Sequence, residues 1–311
     1  MPINLILSAL LATGMTAGLN TAALDPSDPS DPANDAPTTE PLVVEASPPP
    51  PQTDPQADAP VAAFTTARAL LVALAERDAE IDVLTGNVRL TAIQVLQGDR
   101  QRRLGRLALR TVRTEAGQDR RLYAVSFSQL QIDARVQDIQ EEYIFDGRWF
   151  VERHPEELQF IKREVVPVGQ TLDPMDLMRD APFWVSVGDD ADLILADYDA
   201  VLFDAEAGIA GDPELEGLLR FVPGTVQLKL VPKPGSPGED DWESVRMWFE
   251  KDTLLPRLYV KTEWTGDRQI AELFEVETNT EVPAAVFDTT TPDPGSGWQV
   301  QVSPWRGKAE G

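Results

Sequence analysis

Residues 139–166, IQEEYIFDGRWFVERHPEELQFIKREVV, constrain the fold more than any other stretch of this chain. Two short aromatic and β-branched runs flank Asp146-Gly147, the dipeptide best suited to the positive φ angles of a two-residue hairpin turn. His154-Pro155 ends the second run and a third begins at Leu158, which predicts three strands in a row joined by tight turns. Near the turn, Tyr143, Ile144 and Phe145 face Trp149, Phe150 and Val151, so both faces of the sheet carry apolar bulk. A strand wet on one side would alternate more cleanly, so this hairpin must be covered twice.

The flanking sequence supplies the rest of a sheet and its cover. Phe64, Ala67, Leu71, Leu74 and Ala75 recur at three- and four-residue steps and predict an amphipathic helix over 64–77. Val88, Leu90 and Ala92 then alternate, as do Leu107 and Leu109, and Tyr123, Val125 and Phe127. After an irregular region, with short helices expected at 174–179 and 213–220 (Asp212 capping the latter), alternation is cleanest over 225–302. Val226, Leu228 and Leu230 form one set, and Val245, Met247 and Phe249 a second. Leu258, Val260 and Trp264 stand against Arg257, Tyr259 and Lys261, followed by Phe274 with Val276, and by Trp298, Val300 and Val302. Five consecutive strands with one apolar and one polar face predict a curved antiparallel sheet. The expected fold class is mainly β (α+β): about ten to eleven strands curling towards an unclosed barrel, with helices over its concave apolar face. A single domain over 62–303 results, followed by a flexible tail at 304–311.

Upstream, residues 1–23 carry an apolar core and end in small residues, resembling a secretory signal cleaved near Ala23; an uncleaved anchor is the alternative. Residues 24–60 hold eight acids, eleven prolines and no basic residue, so residues 24–61 read as a disordered spacer. With 52 acids against 27 basic residues and a net charge of −25, a nucleic-acid or anionic-membrane surface partner is disfavoured. There is no cysteine, which excludes disulfides and thiolate chemistry. The one histidine, His154, is expected in an exposed turn. Asp189, Asp190, Asp192, Asp197, Asp199 and Asp204 are dense but lack the spacing of a calcium loop, and read as a solvated face. No common catalytic or nucleotide motif occurs, so no cofactor or metal is expected. A pair of acids acting as acid and base stays open, because no spacing singles one out. Composition leaves an apolar concavity, either filled by its own side chains or able to hold acyl chains.

Several motifs in order resemble LolA, the periplasmic carrier of outer-membrane lipoproteins, and its relatives. They are Ile81-x-x-Leu84-Thr85-Gly86-x-Val88, Gly105-x-Leu107-x-Leu109-Arg110, then Asp146-Gly147-Arg148-Trp149-Phe150 with Pro155-x-x-Leu158-Gln159. Leu228-x-Leu230-x-Pro232-Lys233, Val245-x-Met247-x-Phe249, Leu255-Pro256, and Phe287 ahead of Gly297-Trp298 continue the series. The resemblance implies an unclosed barrel with a helical lid, shielding acyl chains in the periplasm without catalysis. Val226, Leu228, Leu230, Val245, Met247, Phe249, Leu258, Val260 and an inward Trp149 would line the cavity, with Leu71 and Leu74 on the lid. Arg110 or Arg113 would latch the lid, although each is followed by Thr rather than by the family's Pro. The partners implied are acylated lipoprotein or lipid cargo, an inner-membrane donor and an outer-membrane acceptor, met by a monomer. A sensor or scaffold of the same fold that binds a protein partner is the second reading, and a barrel enzyme using buried carboxylates the third. The outer cover of the hairpin is expected from residues 183–203.

Overall fold

The computed structural model describes residues 64–113, 119–166, 191–236, 239–240 and 242–305. The expected signal, the spacer, the helix at 174–179 and Asp189-Asp190 lie outside the described residues. In order the elements are α1 (Ala67–Asp78), β1 (Val83–Gln94), β2 (Asp99–Arg113), β3 (Asp119–Ile132), β4 (Arg135–Phe145), β5 (Trp149–His154) and β6 (Gln159–Glu164). Then come α2 (Ala191–Asp197), β7 (Tyr198–Phe203), the 3-10 turn η1 (Glu216–Phe221), β8 (Thr225–Pro232), β9 (Ser244–Glu250), β10 (Pro256–Thr262) and β11 (Arg268–Thr278). The 3-10 turn η2 (Ala284–Phe287) and β12 (Gln299–Ser303) complete the described chain.

All 12 described strands join one sheet in the order β12-β6-β5-β4-β3-β2-β1-β11-β10-β9-β8-β7. The edges β12 and β7 do not pair, so the sheet is mainly antiparallel and unclosed. Its two halves meet where β1 pairs with β11, which brings residues nearly two hundred positions apart side by side. The fifth C-terminal strand departs from expectation. Instead of extending the meander of β8 to β11, β12 crosses to the far edge and runs parallel to β6, its ladder opened by the Gln299 N–H to the Leu158 carbonyl at 2.7 Å.

Because side chains alternate along a strand, each face of this sheet gathers every second residue. One face, here the lid face, collects Val88, Leu107, Val125, Tyr143, Phe150, Leu228, Met247 and Leu273 under α1 and α2 in a single core cluster. The outer face carries two smaller clusters. The β7–β8 connection packs Ile209, Leu215, Leu218 and Val222 on Trp248, Leu258 and Val260. The segment after β11 packs Val282 and Phe287 on Ala108, Ile144, Val151 and Phe160.

The 139–166 hairpin is therefore covered twice, and its outer cover among the described residues is Val282 and Phe287 rather than 191–203; the expected cover at 183–190 lies outside the described residues. Polar ties hold that strap: Arg153 donates to the Asp288 carbonyl at 3.1 Å and Lys162 to the Thr289 carbonyl at 2.7 Å. The turn is displaced by one residue: the Asp146 N–H donates to the Trp149 carbonyl at 3.1 Å, so Gly147 and Arg148 form the two-residue loop. Asp146 Oδ1 accepts the backbone N–H groups of Arg148 and Trp149 at 2.9 and 2.8 Å, and Gly147 takes φ +89°. An aspartate that caps its own loop stabilises this geometry. His154 also departs from expectation: it ends β5, faces the lid and is 5% exposed. The helix expected at 213–220 is the shorter η1, with Asp212 bracing the preceding turn through the Glu214 N–H at 3.0 Å.

Candidate functional site

The lid face is built by alternation and closed by α1. Thr66 caps the helix by accepting the Ala69 N–H at 3.2 Å, and Ala67, Leu70, Leu71 and Leu74 form its buried stripe. Burying each leucine stabilises the closed lid by about 1.5–3 kcal/mol. Beside it, α2 adds Ala191 and Ile194, and Tyr198 stacks on Trp242 at 5.5 Å. The polar ties of α1 sit at its two ends. Arg68 meets Asp192 of α2 at 2.5 Å, and Asp78 pairs with Arg121 of β3. Arg77 Nε also reaches the Thr253 carbonyl at 3.2 Å.

Of the expected lining residues, Leu71, Leu74, Leu228, Leu230, Val245, Met247 and Phe249 come together on this face, with Val226 packed against them. Three others are elsewhere. Leu258 and Val260 point outward onto the second cluster, because β10 pairs Tyr259, not Leu258, with Met247. A register irregularity between Pro256 and Leu258 fixes that phase. Trp149 also faces outward, where Lys162 Nζ lies 4.9 Å from its ring centroid; Phe150 takes the inward place, opposite Phe145. Neither Arg110 nor Arg113 has an ion pair among the described residues. Arg110 stands on the outer face, in register with Val83 and Leu122, and the pair tying α1 to the sheet is Asp78–Arg121.

The N-terminal half contributes to this face as well as the C-terminal half. Val88, Leu90, Leu107, Val125, Phe127, Tyr143, Phe145 and Phe150 all join the cluster. The same alternation that phases β8 and β9 marks Val88, Leu90, Leu107, Val125 and Phe127 in the sequence.

One end of the lid face is polar. Glu152, 1% exposed, pairs with Arg163, and Arg103 Nε donates to Glu141 at 3.2 Å. His154 stands edge-on to Tyr143 at 6.2 Å between ring centroids. Glu152 Oε2 and His154 Nε2 are buried without a hydrogen-bond partner among the described residues. Burial, then the carboxylates of Glu141 and Glu152, push the Tyr143 phenol well above its ordinary value; burial, then Glu152, does the same for Tyr123. Both phenols stay neutral donors. Glu141 and Glu152 thus each face an arginine of another strand. No group of three acids or histidines that could hold a metal occurs among the described residues.

Two further cavities lie on the outer face. One of about 520 Å³ runs beneath the strap, between Arg106, Glu142, Glu275 and Val282. The other, of about 470 Å³, lies under η1.

No protein-family model matches the chain, and no curated protein matches it. Solved structures similar to it include MucB in the Pseudomonas aeruginosa MucA/MucB complex, at TM-score 0.35 and 15% identity over 72% of this chain and 61% of that one. A LolA superfamily protein from Nitrosomonas europaea follows at TM-score 0.30 and 12% identity, covering 72% and 98%. An outer-membrane lipoprotein-sorting domain from Vibrio parahaemolyticus stands at TM-score 0.29 and 12% identity, covering 71% and 97%. The chain spans about three-fifths of the length of MucB.

Proposed function

We propose that this chain is a non-catalytic carrier that shields acyl chains, of a lipoprotein or a lipid, between α1 and the lid face of the sheet. The observation that carries this reading is the construction of that face. A continuous apolar surface drawn from β1 to β5 and β7 to β11 is covered by a helix whose polar ties to other elements cluster at its ends. Acyl chains need apolar area and no directional chemistry, since each buried methylene contributes about 0.8 kcal/mol. The lid-face side chains are buried in this state, so cargo enters by displacing α1, and binding is governed by the free energy of that opening. The protein is exported to the periplasm, residues 1–23 acting as the signal and 24–61 as a spacer. Residues 62–303 form the working unit, which as a monomer takes cargo from an inner-membrane donor to an outer-membrane acceptor.

The test is native mass spectrometry of the exported protein with lipid extraction. Co-purifying acylated material is the expected result. A ligand-free protein that also fails to bind an apolar dye would overturn the reading.

A second reading, a sensor or scaffold that binds a protein partner, is favoured by the two open sheet edges. Val201 and Phe203 on β7, and Val300 and Val302 on β12, are exposed there. An unpaired edge with exposed apolar side chains is suited to accept a partner strand. A stable, lipid-free complex with an envelope protein would favour it.

A further inference from the structure

The cavity under η1 is lined by arginines from three separate elements. Arg89 of β1, with Arg100 and Arg102 of β2, stands on the outer face by strand alternation, and Arg220 of η1 closes over them. Thr91, Gln129 and Gln131 add neutral polar groups to the walls. In a chain of net charge −25, four guanidinium groups around one cavity are a strong local reversal of sign.

The carboxylates present do not balance them. Arg89 is paired with Glu272 at 2.6 Å, and Arg100 with Glu214 at 3.3 Å. Arg102 reaches only the neutral Gln131 Oε1, at 3.2 Å, and Arg220 lies 4.7 Å from the Phe221 ring centroid. Neither has a carboxylate partner among the described residues. The Nε atoms of Arg100 and Arg102 are buried without a hydrogen-bond partner among the described residues. Burial, then the neighbouring Arg89 and Arg100, hold the Arg102 guanidinium below its ordinary value, and Glu272 only partly offsets them. The cradle therefore holds two unbalanced positive charges and unused N–H donors around one cavity, with Arg220 exposed at its rim.

We propose that this cradle binds a phosphate monoester dianion. Two excess charges match that group, and guanidinium forks match its oxygens in geometry. The volume of about 470 Å³ exceeds what inorganic phosphate alone needs, so the ligand is a phosphorylated molecule whose remainder meets Thr91, Gln129 and Gln131. The site lies on the face opposite α1 and is independent of acyl binding. The same chemistry could come from a soluble phosphorylated compound or from the phosphomonoester head of a lipid.

Isothermal titration of the full chain at constant ionic strength tests this, with glycerol 3-phosphate as the soluble probe and dihexanoyl phosphatidic acid as the lipid one. Saturable binding of either probe, absent with chloride, is the expected result, and the preferred probe identifies the source. Arg102→Gln and Arg220→Gln should each weaken binding roughly ten- to hundred-fold, the range for loss of a charge-assisted hydrogen bond. Lys251→Gln, in an exposed turn, should leave it unchanged. Arg220 lies on the covering turn rather than in the sheet, so its variant keeps the test decisive if Arg102→Gln misfolds. Failure of both probes to bind, or binding undiminished in folded Arg220→Gln, would overturn the proposal.

Discussion

Glu152 of β5 and Arg163 of β6 form an ion pair on the lid face, and the glutamate is almost wholly buried while the arginine keeps an edge to solvent. The two partners are therefore unequal. Removing Arg163 leaves a buried carboxylate uncompensated, whereas removing the charge of Glu152 leaves a guanidinium that can still hydrate. Arg163→Gln should destabilise the protein by about 3–5 kcal/mol, and Glu152→Gln by much less. Urea unfolding of the two variants measures the difference. Equal losses would show that the pair is not desolvated as its geometry implies.

The Asp78–Arg121 pair makes a different kind of prediction, because both side chains keep contact with water and the pair sits at the end of α1. Its contribution to global stability should be small, about 1 kcal/mol or less. Its effect should instead be local. In Arg121→Gln, amide exchange in Ala67–Asp78 should accelerate while the rest of the sheet is unchanged, and uptake of an apolar dye should rise as the lid opens more often. Arg113→Gln should alter neither. Unchanged exchange in α1 of Arg121→Gln would show that another contact holds the lid.

Met247 and Leu258 offer a test of which face binds. Both are buried to within 2% exposure, and both are apolar residues on neighbouring strands, yet they stand on opposite sides of the sheet. Met247→Ala and Leu258→Ala should each cost about 2–5 kcal/mol. Only Met247→Ala should change the affinity for an apolar dye. Equal effects on the dye would mean that binding tracks general stability rather than the lid face.

That pair also shows how far the sequence carries. Alternation located the strands, and it phased β8 and β9 correctly, because Gln227, Lys229 and Arg246 mark their outer side. It failed on β10, where Tyr259 and Lys261 are buried as well as Leu258 and Val260. When both faces are covered, polarity no longer reports direction, and the phase is set by an irregularity at Arg257 that no composition rule exposes. Trp149 and Phe150 posed the same ambiguity beside the Asp146-Gly147 turn. The burial of His154 and the crossing of β12 depend on pairings between distant segments, which are properties of the assembled sheet. The arginine cradle was hidden for the same reason: Arg100 and Arg102 read as ordinary polar alternation until β1 and η1 bring Arg89 and Arg220 beside them.

Asp212 gives the last prediction, on acid stability. Burial pushes its carboxyl up, but hydrogen bonds from Arg268 and the Glu214 N–H, the charge of Arg268 and the Leu215 N–H together hold it below the ordinary aspartate value. A carboxyl depressed in the folded state binds fewer protons there than in the unfolded chain. Its stabilising effect is therefore fully present above the unfolded value, near 3.8, and is lost as pH falls through the lower folded value. The Asp212–Arg268 bridge, at 2.8 Å, ties the segment that carries η1 to β11. Acid titration should thus release η1 below about pH 4, and amide exchange around Leu215 and Leu218 should rise there. Asp212→Asn should abolish that pH step while costing about 1 kcal/mol at neutral pH. A variant that keeps the step would place its origin in another carboxylate.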